Sequence, residues 1–121
     1  MTTTTTTNRL DTAALVAGIE QRDADVLTAL YAVDAVVTIT DRDHPPASPS
    51  VLSGQGEIGA YFRDLCGRNI DHKVSMLVAD ASGIAFEQRC RYPEGNAVIC
   101  VTVATVEDGL IRRQTIAQAW D

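Results

Sequence analysis

ALYAVDAVVTITD, residues 29–41, carries a helix end straight into an apolar strand. Its second half, VVTIT (36–40), is dominated by β-branched residues, which crowd a helical turn and pack well on a pleated surface. Asp34 and Asp41 stand at the two ends and Ile39 sits deep in the strand. A pocket lined by this strand therefore has to find its acid or base elsewhere.

Upstream, MTTTTTTN is a polar low-complexity tail with nothing to bury, so residues 1–9 are expected to be disordered. From Leu10 the pattern changes. Leu15, Val16 and Ile19 recur at helical spacing behind Asp11 or Thr12, either able to cap a first turn, which predicts a helix over about 11–22. Asp23 or Asp25 caps a second, shorter helix with a stripe of Val26, Leu27, Leu30 and Tyr31, ending near Ala32.

Downstream, DRDHPPASPSVLSG (41–54) holds three of the four prolines and reads as a loop long enough to act as a lid. QGEIGAYFRDLCG (55–67) restores helical spacing through Ile58, Tyr61, Phe62 and Leu65 and stops at Gly67. Four strands follow, at about 70–79, 83–92, 97–107 and 110–120, separated by the turn signals DASG, PEGN and EDG. Three helices followed by a meander predict one α+β domain over residues 10–121, with a cone of curved antiparallel sheet wrapped on a helix layer. The concave face of that sheet is the candidate site.

With 121 residues, nearly half of them apolar, the chain can build one core without disulfides or metal. The net charge of −6, with ten Lys and Arg scattered along the chain, excludes a concentrated basic face for nucleic acid. No run approaches the roughly 18 apolar residues of a membrane span, and the start lacks a basic-then-apolar leader, so the cytoplasm is the expected compartment. Cys66, Cys90 and Cys100 are an odd set without CxxC spacing and read as reduced core thiols. Asp41, Asp43 and His44 read as ordinary turn chemistry within one short loop, and no metal is expected.

Which side chains meet depends on register. A turn over Pro93–Ala97 sets Cys90 opposite Cys100, Gln88 opposite Thr102 and Phe86 opposite Ala104 on one face. The other face carries Glu87, Arg89 and Arg91 against Val103, Val101 and Ile99 and suits a homodimer surface. A two-residue Asp108-Gly109 turn brings Arg113, Thr115, Ala117 and Ala119 to the concave face, whereas a three-residue loop with a bulge brings Gln114, Ile116, Gln118 and Trp120. Periodicity alone leaves both open. In strand 70–79, Ile70, Val74, Met76 and Val78 share a face, and His72 lies among them. A histidine among aliphatics is either a satisfied core imidazole or an acid–base group. Cys90 becomes a candidate nucleophile only if His72 lies beside it.

The order and spacing of RDADVLTALYAVDAVVT, SGQGEIGAYF, HKVSMLVADASGIAFEQRC and VATVEDGLIRRQTIAQAWD resemble the nuclear transport factor two-like superfamily, especially its SnoaL-like and ketosteroid isomerase-like branches. The resemblance spans about residues 10–121 and implies the same cone-shaped fold. It puts the isomerase's general-base aspartate on Ile39, its oxyanion-hole tyrosine on Leu15, and its second oxyanion donor near Thr102. Steroid isomerisation by those groups is thus not expected. The isomerase's pocket positions fall on Phe86, Gln88, Cys90, Gln114, Ile116 and Gln118, which favours the longer loop at Gly109. His72 resembles the acid–base histidine of the dehydratase-like branch, and Asp121 the terminal aspartate of the SnoaL-like cyclases.

The resulting expectation is a cofactor-free enzyme acting on a largely apolar carbonyl-bearing molecule, polyketide- or steroid-like, by cyclisation, isomerisation or dehydration. His72 and Asp121 are its candidate catalytic groups. Gln88, Cys90, Thr102, Gln114, Gln118, Phe86, Phe62, Trp120, Ile39 and Leu15 are its candidate binding positions. The alternatives are a non-catalytic ligand-binding or accessory dimer of the same fold, and a purely structural association domain whose interior is filled by Phe86, Phe62 and Trp120.

Overall fold

The computed structural model describes residues 9–121, so the expected tail lies outside the described residues except for Arg9. Asp11 caps α1 (Thr12–Glu20) by accepting from the Ala14 N–H at 3.0 Å. Asp23 caps α2 (Ala24–Thr28) through the Val26 N–H at 3.2 Å. The two helices touch at Gly18, where an added Cβ would come within 2.9 Å of the Leu27 side chain and force it to shift.

Both helices are shorter than their apolar periodicity predicts. The chain is already a strand at Tyr31, because β1 (Tyr31–Thr40) pairs Tyr31 with Ile111 and the Leu30 carbonyl accepts from the Ile111 N–H at 2.9 Å. Tertiary pairing overrides helical spacing over Leu30–Ala32. The proline-rich segment also holds a strand the sequence reading missed, β2 (Ser50–Ser53), which pairs antiparallel with β1. Then come α3 (Gly54–Cys66), β3 (Asp71–Ala79), β4 (Gly83–Arg91), β5 (Ala97–Glu107) and β6 (Leu110–Trp120).

The α+β cone is as expected: six strands in the order β2-β1-β6-β5-β4-β3, with the helices in the N-terminal half. One pairing departs from the antiparallel pattern. β1 and β6 run parallel, which returns the first strand to the last and brings Ile39 beside Ile116. Among the described residues no helix is long and apolar enough to cross a membrane.

Two bulges decide which side chains face inward. In β3, Val74 pairs with Gln88 but Met76 pairs with Glu87, leaving Ser75 as an extra residue whose Oγ donates to Glu87 Oε1 at 2.8 Å. A bulge of this kind inverts the alternation beyond it. Met76 and Val78, expected inside with His72, therefore face outward at 61% and 64% exposure, and Leu77 turns in against Phe86. In β6, Asp108 (φ 52°) and Gly109 (φ 76°) form the two-residue turn that left-handed positions allow. A bulge at Arg112 then shifts parity, since Val106 pairs with Ile111 while Thr105 pairs with Arg113. The short turn and the inward Gln114, Ile116 and Gln118 thus coexist, an outcome neither simple register contains.

The β4–β5 register also differs from the expected one by two residues. Arg91 pairs with Ala97 across a Tyr92–Asn96 loop, which sets Phe86 opposite Thr102, Gln88 opposite Cys100 and Cys90 opposite Val98. Because the slip is even, every expected inward residue of these strands stays inward.

Candidate active site

The concave face and α3 enclose a narrow cavity of about 50 Å³. Its floor is apolar, with Leu15, Ile19, Leu27 and Phe62 from the helices and Phe86, Val98 and Ile116 from the sheet. Its polar atoms come from Tyr31, Tyr61, His72, Gln88, Cys90, Cys100, Gln114 and Gln118. A wider mouth of about 530 Å³ shares Tyr61, Leu65, Tyr92 and Gln118 with it. There the Arg42 guanidinium stacks 4.0 Å over the Trp120 ring, which packs on Tyr92 at 5.0 Å between centroids.

The structure gathers most of the expected site residues at this cavity. His72, Gln88, Cys90, Gln114, Gln118, Phe86, Phe62 and Leu15 line it, and Trp120 lines the mouth. Three are placed elsewhere. Ile39 and Thr102 are buried in the core, away from the cavity lining, and among the described residues the Thr102 hydroxyl has no hydrogen-bond partner. Asp121 closes the end of the sheet: its Oδ2 accepts from the Ala97 N–H at 2.8 Å, outside the cavity. The Asp41–His44 pair near the mouth is engaged with itself at 2.9 Å. Burial raises the Asp41 carboxyl, but hydrogen bonds from the His44 ring and the Asp43 N–H outweigh it and hold the group below its ordinary range. Among the described residues no three His, Cys, Asp or Glu side chains come together as a metal site.

The central contact is between β3 and β4. Pairing of His72 with Cys90 in the ladder brings His72 Nδ1 to 3.1 Å from Cys90 Sγ. This meets the condition under which Cys90 becomes a candidate nucleophile. Gln88 Oε1 lies 3.7 Å from the same sulfur. Cys100, beside Gln88 on β5, and His72 both favour a Cys90 thiolate and together outweigh the cost of burial, so the Cys90 thiol is pulled down. The neighbouring Cys90 sulfur and burial push the Cys100 thiol up.

Two glutamines have their oxygens occupied. Gln114 Oε1 accepts from the Tyr31 hydroxyl, and Gln118 Oε1 accepts from Trp120 Nε1 at 3.0 Å. Their amide nitrogens remain as donors, a pattern complementary to a carbonyl oxygen. Burial pushes the Tyr31 and Tyr61 hydroxyls above their ordinary values, so both stay protonated. The sequence reading placed Tyr31 only in the apolar stripe of the second helix and gave Arg42 no role. Tyr31's position at the very start of an apolar strand was the available signal; nothing local marks Arg42, which reaches Trp120 across 78 residues of sequence.

Among solved structures the chain is similar to an NTF2-like protein of unknown function from Mesorhizobium loti, with TM-score 0.79, 16% identity, and 89% and 87% of the two chains covered. It is also similar to a provisionally named ketosteroid isomerase from Kribbella flavida, with TM-score 0.72, 18% identity, and 89% and 74% covered. At these identities the likeness is one of fold. No curated protein matches the chain. The sequence pattern of the SnoaL-like domain matches residues 12–114, nearly the whole folded region, and the chain belongs to the SnoaL-like family.

Proposed function

We propose that the chain is a small-molecule enzyme of the SnoaL-like type that moves a proton next to a carbonyl group, with His72 as the proton-transfer residue. The observation that carries this reading is the 3.1 Å contact of His72 with Cys90 on the wall of a cavity that also presents the Gln114 and Gln118 amide donors. A carbonyl oxygen held by such donors becomes a better electron sink. Negative charge that develops on it during deprotonation of the neighbouring carbon is stabilised where water is scarce. His72 takes or returns the proton, and Cys90 relays it on the imidazole's Nδ1 side.

Cavity size supports a narrower substrate class. Sites for drug-sized ligands occupy ~300–1,000 Å³, so the interior of about 50 Å³ admits the reactive tip of a slender carbonyl compound rather than a fused ring system. The remainder of the substrate would lie in the mouth, against Tyr92, Trp120 and Arg42. We further propose a homodimer through the outer sheet face, supported by exposed Val101 and Val103 at its centre.

The reaction is tested by incubating the chain in heavy water with a panel of small ketones and following deuterium entry at the carbon next to the carbonyl by NMR. Exchange faster than buffer, lost in a folded His72→Ala variant, is the expected result. Exchange at the buffer rate across the panel, with the ketones recovered unchanged, overturns the enzyme reading in favour of a ligand-binding module. That module is the reading favoured by the apolar Ile39 and Leu15 at the isomerase's acid–base positions.

A further inference from the structure

Cys90 is unusual among the three free thiols. It lines the inner cavity and also a separate outer groove of about 700 Å³, where His72 again stands beside it. Cys66 is half-buried elsewhere, and Cys100 lines only the inner cavity. The Cys90 thiol thus has an acceptor for its proton on one side, a second thiol on another, and space approaching from two directions.

We infer that Cys90 is a nucleophilic site for soft carbon electrophiles, specifically α,β-unsaturated carbonyl compounds, with His72 as its proton partner. The inference goes beyond proton transfer and stands independently of turnover. The His72–Cys90 distance of 3.1 Å lets the thiol proton pass to Nδ1. Cys100 lines the same cavity and favours the thiolate left behind, in keeping with the lowered titration of Cys90.

The step balances within the site. The Cys90 sulfur forms a bond to the β-carbon, and the carbon–carbon π pair moves through the α-carbon onto the carbonyl oxygen as an enolate. The proton held on His72 then goes to the α-carbon and the carbonyl re-forms. The net change is addition of S–H across the double bond, and no oxidant or reductant enters. Reversal returns the thiol and the unsaturated compound. The Gln114 and Gln118 amide donors face the same interior and complement the carbonyl end of such a ligand.

The test uses the full chain with acrylamide, a small uncharged α,β-unsaturated amide, followed by intact-mass measurement and peptide mapping. At about pH 6 an ordinary thiol is under about 1% thiolate, while lowered basicity costs nucleophilicity, so the two effects together predict modification of Cys90 about tenfold faster than free N-acetylcysteine. The adduct maps to Cys90, disappears in Cys90→Ser, and slows to the free-thiol rate in His72→Ala. An adduct confined to Cys66 or Cys100, no adduct, or modification of Cys90 no faster than N-acetylcysteine overturns the inference. The wild-type measurement decides even where a variant fails to fold. Because it reads mass rather than turnover, failure here leaves the heavy-water experiment untouched.

Discussion

The Tyr31 hydroxyl donates to Gln114 Oε1, joining the first residue of β1 to the middle of β6 across 83 residues of sequence. Both residues are buried, and the bond crosses the sheet's parallel seam. Tyr31→Phe keeps the ring against Phe62 but leaves the Gln114 oxygen without its donor. A buried acceptor left unpaired costs about 1–3 kcal/mol, so Tyr31→Phe is expected to lower stability by that amount in urea denaturation. Gln114→Leu in the same background removes the orphaned group and is expected to recover part of the loss. A Tyr31→Phe chain as stable as the wild type contradicts the bond's role.

The thiolate at Cys90 has a pH signature. The groups facing it are His72 from β3, Cys100 from β5, Tyr61 from α3 and Tyr92 just after β4, with Asp71, Lys73, Arg89, Arg91 and Asp121 along the outer groove. A thiol lowered in the folded chain and near its ordinary value when unfolded binds fewer protons when folded between the two values. Its stabilising contribution is therefore fully present above the unfolded value and lost as pH falls through the lowered folded value. Cys100, raised, acts oppositely and only above the ordinary thiol range. The difference in stability between wild type and Cys90→Ser is expected to grow from acid to neutral pH, with thiolate ultraviolet absorbance appearing over the same acid limb. A flat difference removes the thiolate.

The cone, its helices and the inward parity of β4 and β5 were legible because period-two alternation survives any even slip of register. Phe86, Gln88 and Cys90 kept their face although each pairs two residues away from expectation. Bulges are less visible. Nothing in KVSMLV announces that Ser75 is skipped, since its reason is a hydroxyl bonded to Glu87 on the neighbouring strand. The Arg112 bulge is similarly tertiary: Ile111 and Gln114 are both buried, three residues apart, and Arg112 swings out to Asp34 at 2.7 Å. The β1–β6 parallel pair joins the two ends of the domain and has no local signal. The site suffered accordingly: its members were named, but the His72–Cys90 contact is a property of the ladder.

The outer face offers a separate test. Val101 and Val103, 47% and 60% exposed, stand at the centre of β5 opposite Glu87 and Ala85. If this face joins two copies, Val101→Lys with Val103→Lys places four like charges across the interface and is expected to convert a dimer into a monomer in sedimentation equilibrium. Surface changes of this kind alter an isolated domain's stability by only about 0.5 kcal/mol, so the variant still folds. A wild-type chain that sediments as a monomer at micromolar concentration removes the dimer proposal.

Thr102 separates binding from packing. It is fully buried between Phe86 and Ile116 in the ladder, its hydroxyl has no partner among the described residues, and the cavity does not reach it. Thr102→Val nearly preserves shape and removes an unsatisfied polar group whose burial costs about 1–3 kcal/mol. The variant is therefore expected to melt higher than the wild type, opposite to the usual effect of deleting a core hydroxyl. Its heavy-water exchange and its Cys90 modification rate are expected to stay at wild-type levels, because the cavity does not reach this position. A destabilised Thr102→Val chain would mean that the hydroxyl has a bonding partner after all. Unchanged stability with lost exchange would return Thr102 to the role of substrate donor.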